Sequence, residues 1–180
     1  HAAGERLGFT VARGGDLNGD GEGDCLVGAY TNSAAGFETG RAYVYFGGPA
    51  VDGTADLVLE GSGVGAHFSD GLAAADANGD GYQDVLVGAS QFDAARGRAY
   101  VYLGGPGLDA TPDLELGEGD PGDWFGRCAT GGADLDGDDL VTTERGKEGE
   151  RGGRRSARYE THPVAISAEE RLHRGILFGR

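Results

Sequence analysis

Residues 16–30 read DLNGDGEGDCLVGAY, and residues 76–90, sixty positions later, read DANGDGYQDVLVGAS. The Asp, Asn and Gly of D-x-N-G-D-G-x-x-D recur without change, as does Leu-Val-Gly-Ala after them. A second block follows each: 40–49 is GRAYVYFGGP and 97–106 is GRAYVYLGGP, offset by 57. A third start, DLDGD, begins at Asp134, 58 positions after Asp76. Repetition at such a period means stacked supersecondary units, none of which can bury its own apolar faces alone.

Each unit parses into four strands. In the first they are 9–13, 25–29 after the aspartate loop, 42–46 (AYVYF) and 56–60 (DLVLE). In the second they are 72–75, 85–89, 99–103 and 113–116. These runs are short, rich in β-branched and aromatic residues, and closed by Gly-Gly-Pro turn signals. No segment of the repeats holds a 3.6-residue period, so no helix is expected there. A four-stranded sheet has two apolar faces, and stacking such sheets radially covers both. The fold class is therefore all-β: propeller blades of four antiparallel strands, in an incomplete propeller. Blade 1 covers residues 1–63, blade 2 covers 64–121, a truncated third repeat covers 122–141, and an atypical basic tail covers 142–180. Two full blades cannot close a ring, and the chain starts at His1, so it is read as a fragment or processed piece. The remaining blades of a longer parent chain are its first expected partner.

Charge narrows the functional classes. Residues 1–139 hold 24 acids and 6 bases, whereas 140–180 hold 6 acids and 9 bases. So acidic a body repels nucleic acid and anionic membrane. No apolar run approaches the ~18 residues of a membrane span. Cys25 and Cys128 fall at different repeat positions and are read as two buried free thiols, with redox compartment left open. Asp vanishes after Asp139, and 144–158 (ERGKEGERGGRRSAR) is basic and polar. This tail reads as disordered, with a short capped helix over 167–173, and as foreign to the repeat, through a reading-frame change near Asp139. A flexible linker is the alternative.

The loops carry the chemistry. Counting Asp16 as position 1, Asn18 stands at 3, Asp20 at 5, Glu22 at 7 and Asp24 at 9. The second loop has Asp76, Asn78, Asp80, Tyr82 and Asp84 at the same places. Alternate residues of a tight loop point inward, so positions 1, 3 and 5 would supply side-chain oxygens. Position 7 would give its carbonyl, which is why Glu22 and Tyr82 can differ, and position 9 closes the loop. An all-oxygen set of this size suits Ca²⁺ rather than Zn²⁺, Cu²⁺ or Mg²⁺. Dissociation constants of ~10⁻⁴–10⁻³ M are expected. An Asx-rich turn without an ion is the alternative. An EF-hand would need Glu at position 12, where Val27 and Val87 stand. The third loop, Asp134, Asp136 and Asp138, is weaker: position 6 is Asp139 in place of Gly and position 9 is Thr142.

These residues resemble the FG-GAP repeat, the blade unit of the integrin alpha-subunit propeller. Its pattern runs from an FG dipeptide, through D-x-D/N-x-D-G-x-x-D, to an apolar strand ending in Gly-Ala-Pro. Phe125-Gly126 fits the dipeptide, Leu7-Gly8 nearly fits, and His67-Phe68 is degenerate. Gly28-Ala29-Tyr30 and Gly88-Ala89-Ser90 keep the Gly-Ala. The resemblance covers about residues 4–139. It implies structural calcium between the first two strands of each blade, an extracellular or cell-surface location, and adhesion or binding of a protein or glycan ligand. It also allows a non-catalytic repeat region beside a secreted hydrolase, as in the glycosylphosphatidylinositol-specific phospholipases D. No catalytic role is assigned: His67, beside Phe68 at the degenerate dipeptide, is read as a packed or exposed histidine, Ser62 and Ser90 lack a nucleophile-elbow context, and 61–65 lacks the Lys and helix of a phosphate loop. Tyr43, Tyr45, Tyr100 and Tyr102 are read as blade packing rather than a sugar platform with Trp124.

Overall fold

A computed structural model describes residues 4–117, 120–131 and, for its backbone, 176–179. The third loop (Asp134, Asp136, Asp138), the helix expected over 167–173 and the frame-change reading fall outside the described residues.

Blade 1 is a four-stranded antiparallel meander: β1 (Thr10–Gly15), β2 (Asp24–Ala29), β3 (Arg41–Tyr45) and β4 (Leu57–Glu60). Blade 2 repeats it with β5 (Phe68–Ala75), β6 (Asp84–Ala89), β7 (Arg98–Tyr102) and β8 (Leu114–Leu116). Registers repeat as well, with Val27 opposite Tyr43 and Val87 opposite Tyr100. A third unit starts with β9 (Cys128–Gly131), which pairs antiparallel with β10 (Ile176–Gly179). One helical turn, α1 (Phe92–Ala95), interrupts the strands; Asp93, Ala94 and Ala95 have φ of 47, 55 and 60°, so the turn is left-handed. The all-β expectation holds with that exception, and the strand limits agree to within a few residues.

The blades pack face to face, and the period of 2 along each strand decides what meets. Leu26, Ala42, Val44 and Leu59 of blade 1 meet Leu72, Val85, Val87, Tyr100 and Tyr102 of blade 2 in one buried cluster. The opposite face of blade 2, with Ala73, Leu86 and Val101, packs toward Ala129 of β9. Tyr100 and Tyr102 thus fill a seam between blades; burial drives the Tyr102 phenol pKa upward.

The start of each blade locks onto the blade before it. Gly40 bridges Phe68, and Gly97 bridges Phe125, in parallel pairs. These contacts need glycine: a Cβ at Gly40 would stand 2.2 Å from Phe68 O, and one at Gly97 would stand 2.0 Å from Phe125 O. The register corrects one assignment. The dipeptide slot of blade 2 is Phe68-Ser69, not His67-Phe68, because Ser69 has φ 77° where Gly8 and Gly126 have 82° and 83°. The phenylalanine is intact and fully buried, and serine replaces the glycine. Both cysteines are free, as expected. Their burial is not as expected: Cys25 lies on the uncovered face of β2 and is half-buried, and Cys128, on β9 at the edge of the described packing, is exposed.

Candidate metal centre

The expected ligands of both full loops lie in the connections β1–β2 and β5–β6. Each loop is organised by its first aspartate. Asp16 Oδ1 accepts N–H bonds from Gly19 (2.8 Å) and Asp20 (3.1 Å), while Oδ2 accepts that of Gly21 (2.9 Å). Asp76 does the same for Gly79 (2.7 Å), Asp80 (3.1 Å) and Gly81 (2.9 Å). Three donors on one carboxylate require the chain to curl around it. Left-handed glycines at loop positions 4 and 6 permit this, with φ of 82° and 86° in the first loop and 77° and 94° in the second.

Positions 3 and 5 bond to each other and to the chain. Asn18 Nδ2 donates to Asp20 Oδ2 (3.0 Å) and Asn78 Nδ2 to Asp80 Oδ2 (2.8 Å). Asp20 Oδ1 accepts the Glu22 N–H (2.8 Å), and Asp80 Oδ1 accepts the Tyr82 N–H (2.9 Å). The Glu22 N–H, and then the Asn18 amide, hold the Asp20 carboxyl below the usual carboxylate range.

Asp24 and Asp84, at position 9, turn inward. Asp24 bonds the Leu17 N–H (2.6 Å) and the Gly47 N–H (2.8 Å); Asp84 bonds those of Ala77 (2.8 Å) and Gly104 (2.8 Å). Each ties the start of its loop to the β3–β4 or β7–β8 turn. Desolvation lifts the Asp84 pKa to about 6, against the pull of its Gly104 and Ala77 hydrogen bonds; Asp80 and Asp76 add to the rise. The carboxylate oxygens face loop N–H groups, and among the described residues no three His, Cys, Asp or Glu side chains are gathered to hold a metal ion. The donor set nonetheless fits a hard cation: every side chain at positions 1, 3, 5 and 9 offers oxygen, and none offers sulfur or imidazole.

The loops also touch one another, which the repeat alone did not reveal. Gln83 N–H donates to Asp16 O at 3.1 Å, and Gly105 N–H donates to Leu17 O at 2.7 Å. The Tyr82 ring lies between two glycines. A Cβ at Gly19 of the first loop would stand 2.5 Å from Tyr82 Cε1, and one at Gly105 would stand 3.2 Å from Cδ2. The available signal was glycine at 19 and 105 beside an aromatic at 82, where the first repeat has Glu22.

A family model described as the FG-GAP repeat matches residues 68–102, which span β5, the second loop, β6 and β7. The chain carries the FG-GAP repeat. It is similar to integrin alpha-5 of Xenopus laevis, 34% identical over 143 residues, which are 73% of this chain and 14% of that protein. Integrin alpha-IIb of Homo sapiens is 33% identical over 171 residues, 87% of this chain and 16% of that protein. Phosphatidylinositol-glycan-specific phospholipase D of Rattus norvegicus is 36% identical over 126 residues, 62% of this chain and 15% of that protein. The FG-GAP chain thus spans about a seventh of the length of these relatives. The seam between its two blades explains the family pattern physically: Phe68 enters it, the next residue, Ser69, is left-handed, and Gly28 of Gly-Ala leaves room for it.

Proposed function

We propose that this chain is a calcium-braced β-propeller segment of an extracellular or cell-surface protein, serving adhesion or the binding of a protein or glycan ligand. Calcium would sit in the β1–β2 loop, on Asp16, Asn18, Asp20, the Glu22 carbonyl and Asp24. The β5–β6 loop would use Asp76, Asn78, Asp80, the Tyr82 carbonyl and Asp84. The observation behind this reading is that two loops 60 residues apart share one oxygen-rich ligand pattern and one hydrogen-bond scheme, down to single N–H groups. The ion supplies positive charge to groups that otherwise repel. The chain's own residues curl the loop, orient the oxygens and pin the loop to the neighbouring turn.

The likeness to a phosphatidylinositol-glycan-specific phospholipase D supports a second reading, a non-catalytic repeat region appended to a secreted hydrolase. In both readings the blades themselves perform no catalysis, and in both the calcium is structural.

Thermal unfolding of the full chain by circular dichroism, in millimolar Ca²⁺ and in EGTA, tests the cation. With calcium tenfold above its dissociation constant, each loop gains about 1.4 kcal/mol by mass action. Two loops should raise the midpoint by roughly 5–10 °C. The Asp20→Ala/Asp80→Ala double variant should lose that rise. A midpoint indifferent to calcium would leave the loops as ordinary turns.

A further inference from the structure

We propose that Tyr82 and Gln83 couple the two loops, so that calcium in the β5–β6 loop raises the calcium affinity of the β1–β2 loop. The inference rests on the calcium reading above. Both residues lie between Asp80 and Asp84, so an ion that fixes those two carboxylates also fixes Tyr82 and Gln83. Gln83 then presents its N–H to the carbonyl of Asp16, the residue around which the first loop curls. The Tyr82 ring, seated between Gly105 and Gly19, holds the first loop against blade 2. An ion entering the first loop meets a partner already ordered, and the ordering entropy is lost once rather than twice. Linkage makes the effect reciprocal: the first loop must favour the second by the same factor.

Coulomb repulsion between the two ions works the other way. Salt and the loop carboxylates weaken it, and the coupling proposed is the case in which the direct contact through Tyr82 and Gln83 outweighs it.

Calcium titration calorimetry of the full chain at physiological salt reads the coupling, with the Asp20→Ala/Asp80→Ala variant as background. The unmodified chain should fill its two loops with a Hill slope above 1. Silencing the second loop by Asp80→Ala should weaken the first about fivefold, and Asp20→Ala should weaken the second by the same factor. Tyr82→Ala keeps the position-7 carbonyl but removes the ring, and should lower the slope toward 1, leaving the Gln83 N–H as the remaining link; Tyr82→Phe should preserve it. Loops whose affinities stay within about twofold when the other is silenced overturn the coupling alone, as does a Tyr82→Ala slope equal to that of the unmodified chain. A slope below 1 overturns it too, because repulsion would then dominate. An unmodified chain that takes up no calcium overturns the coupling together with the reading beneath it. If Asp80→Ala fails to fold, the Tyr82→Ala and Tyr82→Phe titrations decide the question.

Discussion

Blades 1 and 2 have nearly the same sequence at β2 and β6 and the same loop hydrogen bonds, yet their surroundings differ. Every residue of β6 is buried, whereas β2 alternates, with Cys25 and Val27 half-exposed. Blade 2 has blade 1 on one face and β9 on the other. On blade 1, Val11, at the place that Leu72 takes in blade 2, is 63% exposed against 8% for Leu72. A repeat therefore does not carry its own stability. The same residues are core or surface according to whether another sheet lies on them.

The largest expected effect contrasts the two dipeptide slots. Phe68 is fully buried, and its ring meets Tyr100 edge-on at 5.2 Å; Leu7, in the same slot of blade 1, is 39% exposed. Phe68→Ala should cost about 3–5 kcal/mol through lost burial and the cavity left behind. Leu7→Ala should cost under about 1 kcal/mol. Urea midpoints at constant m measure both. Similar losses at the two positions would mean that the outer face of blade 1 is covered as well.

The next effect is electrostatic and sharpens the contrast within blade 2. Asp84 has its pKa raised to about 6, above the ~3.9 of an unfolded aspartate. The folded state then binds more protons between these values. In calcium-free buffer Asp84 contributes stability that is complete below about pH 4 and is lost as pH rises through 6, by up to about 3 kcal/mol. Asp20 works in the opposite sense, so the quantity to read is the difference between the unmodified chain and Asp84→Asn across pH 4–7. Asp84→Asn should remove the falling component. Parallel curves would show that Asp84 ionises in the fold as readily as in the unfolded chain.

Much of this was legible in the sequence, and what was not shares one cause. The short β-branched and aromatic runs, the Gly-Gly-Pro turns and the repeated Leu-Val-Gly-Ala placed eight strands, since those signals are local. The loop positions were legible for the same reason. Asp24 and Asp84 were read as closing the loops; that their oxygens reach Gly47 and Gly104 depends on the β3–β4 and β7–β8 turns folding back. Contacts between units were hidden: Tyr82 on Gly19 joins residues 63 positions apart, and no local pattern marks it. The left-handed turn Asp93–Ala95 was missed because nothing in Phe-Asp-Ala-Ala favours positive φ. His67-Phe68 was matched to the dipeptide by spelling, whereas the backbone assigns the slot by φ, to Phe68-Ser69.

That serine gives the smallest effect and the finest test of how two seams differ. In the blade 2–3 seam the slot holds Gly126, and the approach is close: a Cβ on Gly88 would stand 1.7 Å from Gly126 O. In the blade 1–2 seam a Cβ on Gly28 would stand 3.0 Å from Ser69 O, and hydrogen bonds fill the difference. The Ser69 hydroxyl donates to Arg41 O (2.8 Å) and accepts the buried Ala29 N–H (3.1 Å). Thr10 Oγ1 donates to Ser69 O (2.7 Å). Against these stands a left-handed backbone, which costs a non-glycine residue about 1–2 kcal/mol. An orphaned buried donor costs about 1–3 kcal/mol, so the two terms nearly balance. Ser69→Ala keeps the strain and loses the bonds, and should destabilise by about 1–3 kcal/mol. Ser69→Gly loses the bonds but relieves the strain, and should fall between Ala and the unmodified chain. If Ser69→Gly proves more stable than serine, close backbone approach outweighs the hydroxyl, and the seam with Gly126 is the better-made of the two. If Ser69→Ala and Ser69→Gly coincide, the positive φ carries no strain here, and the hydrogen bonds alone hold the serine in place.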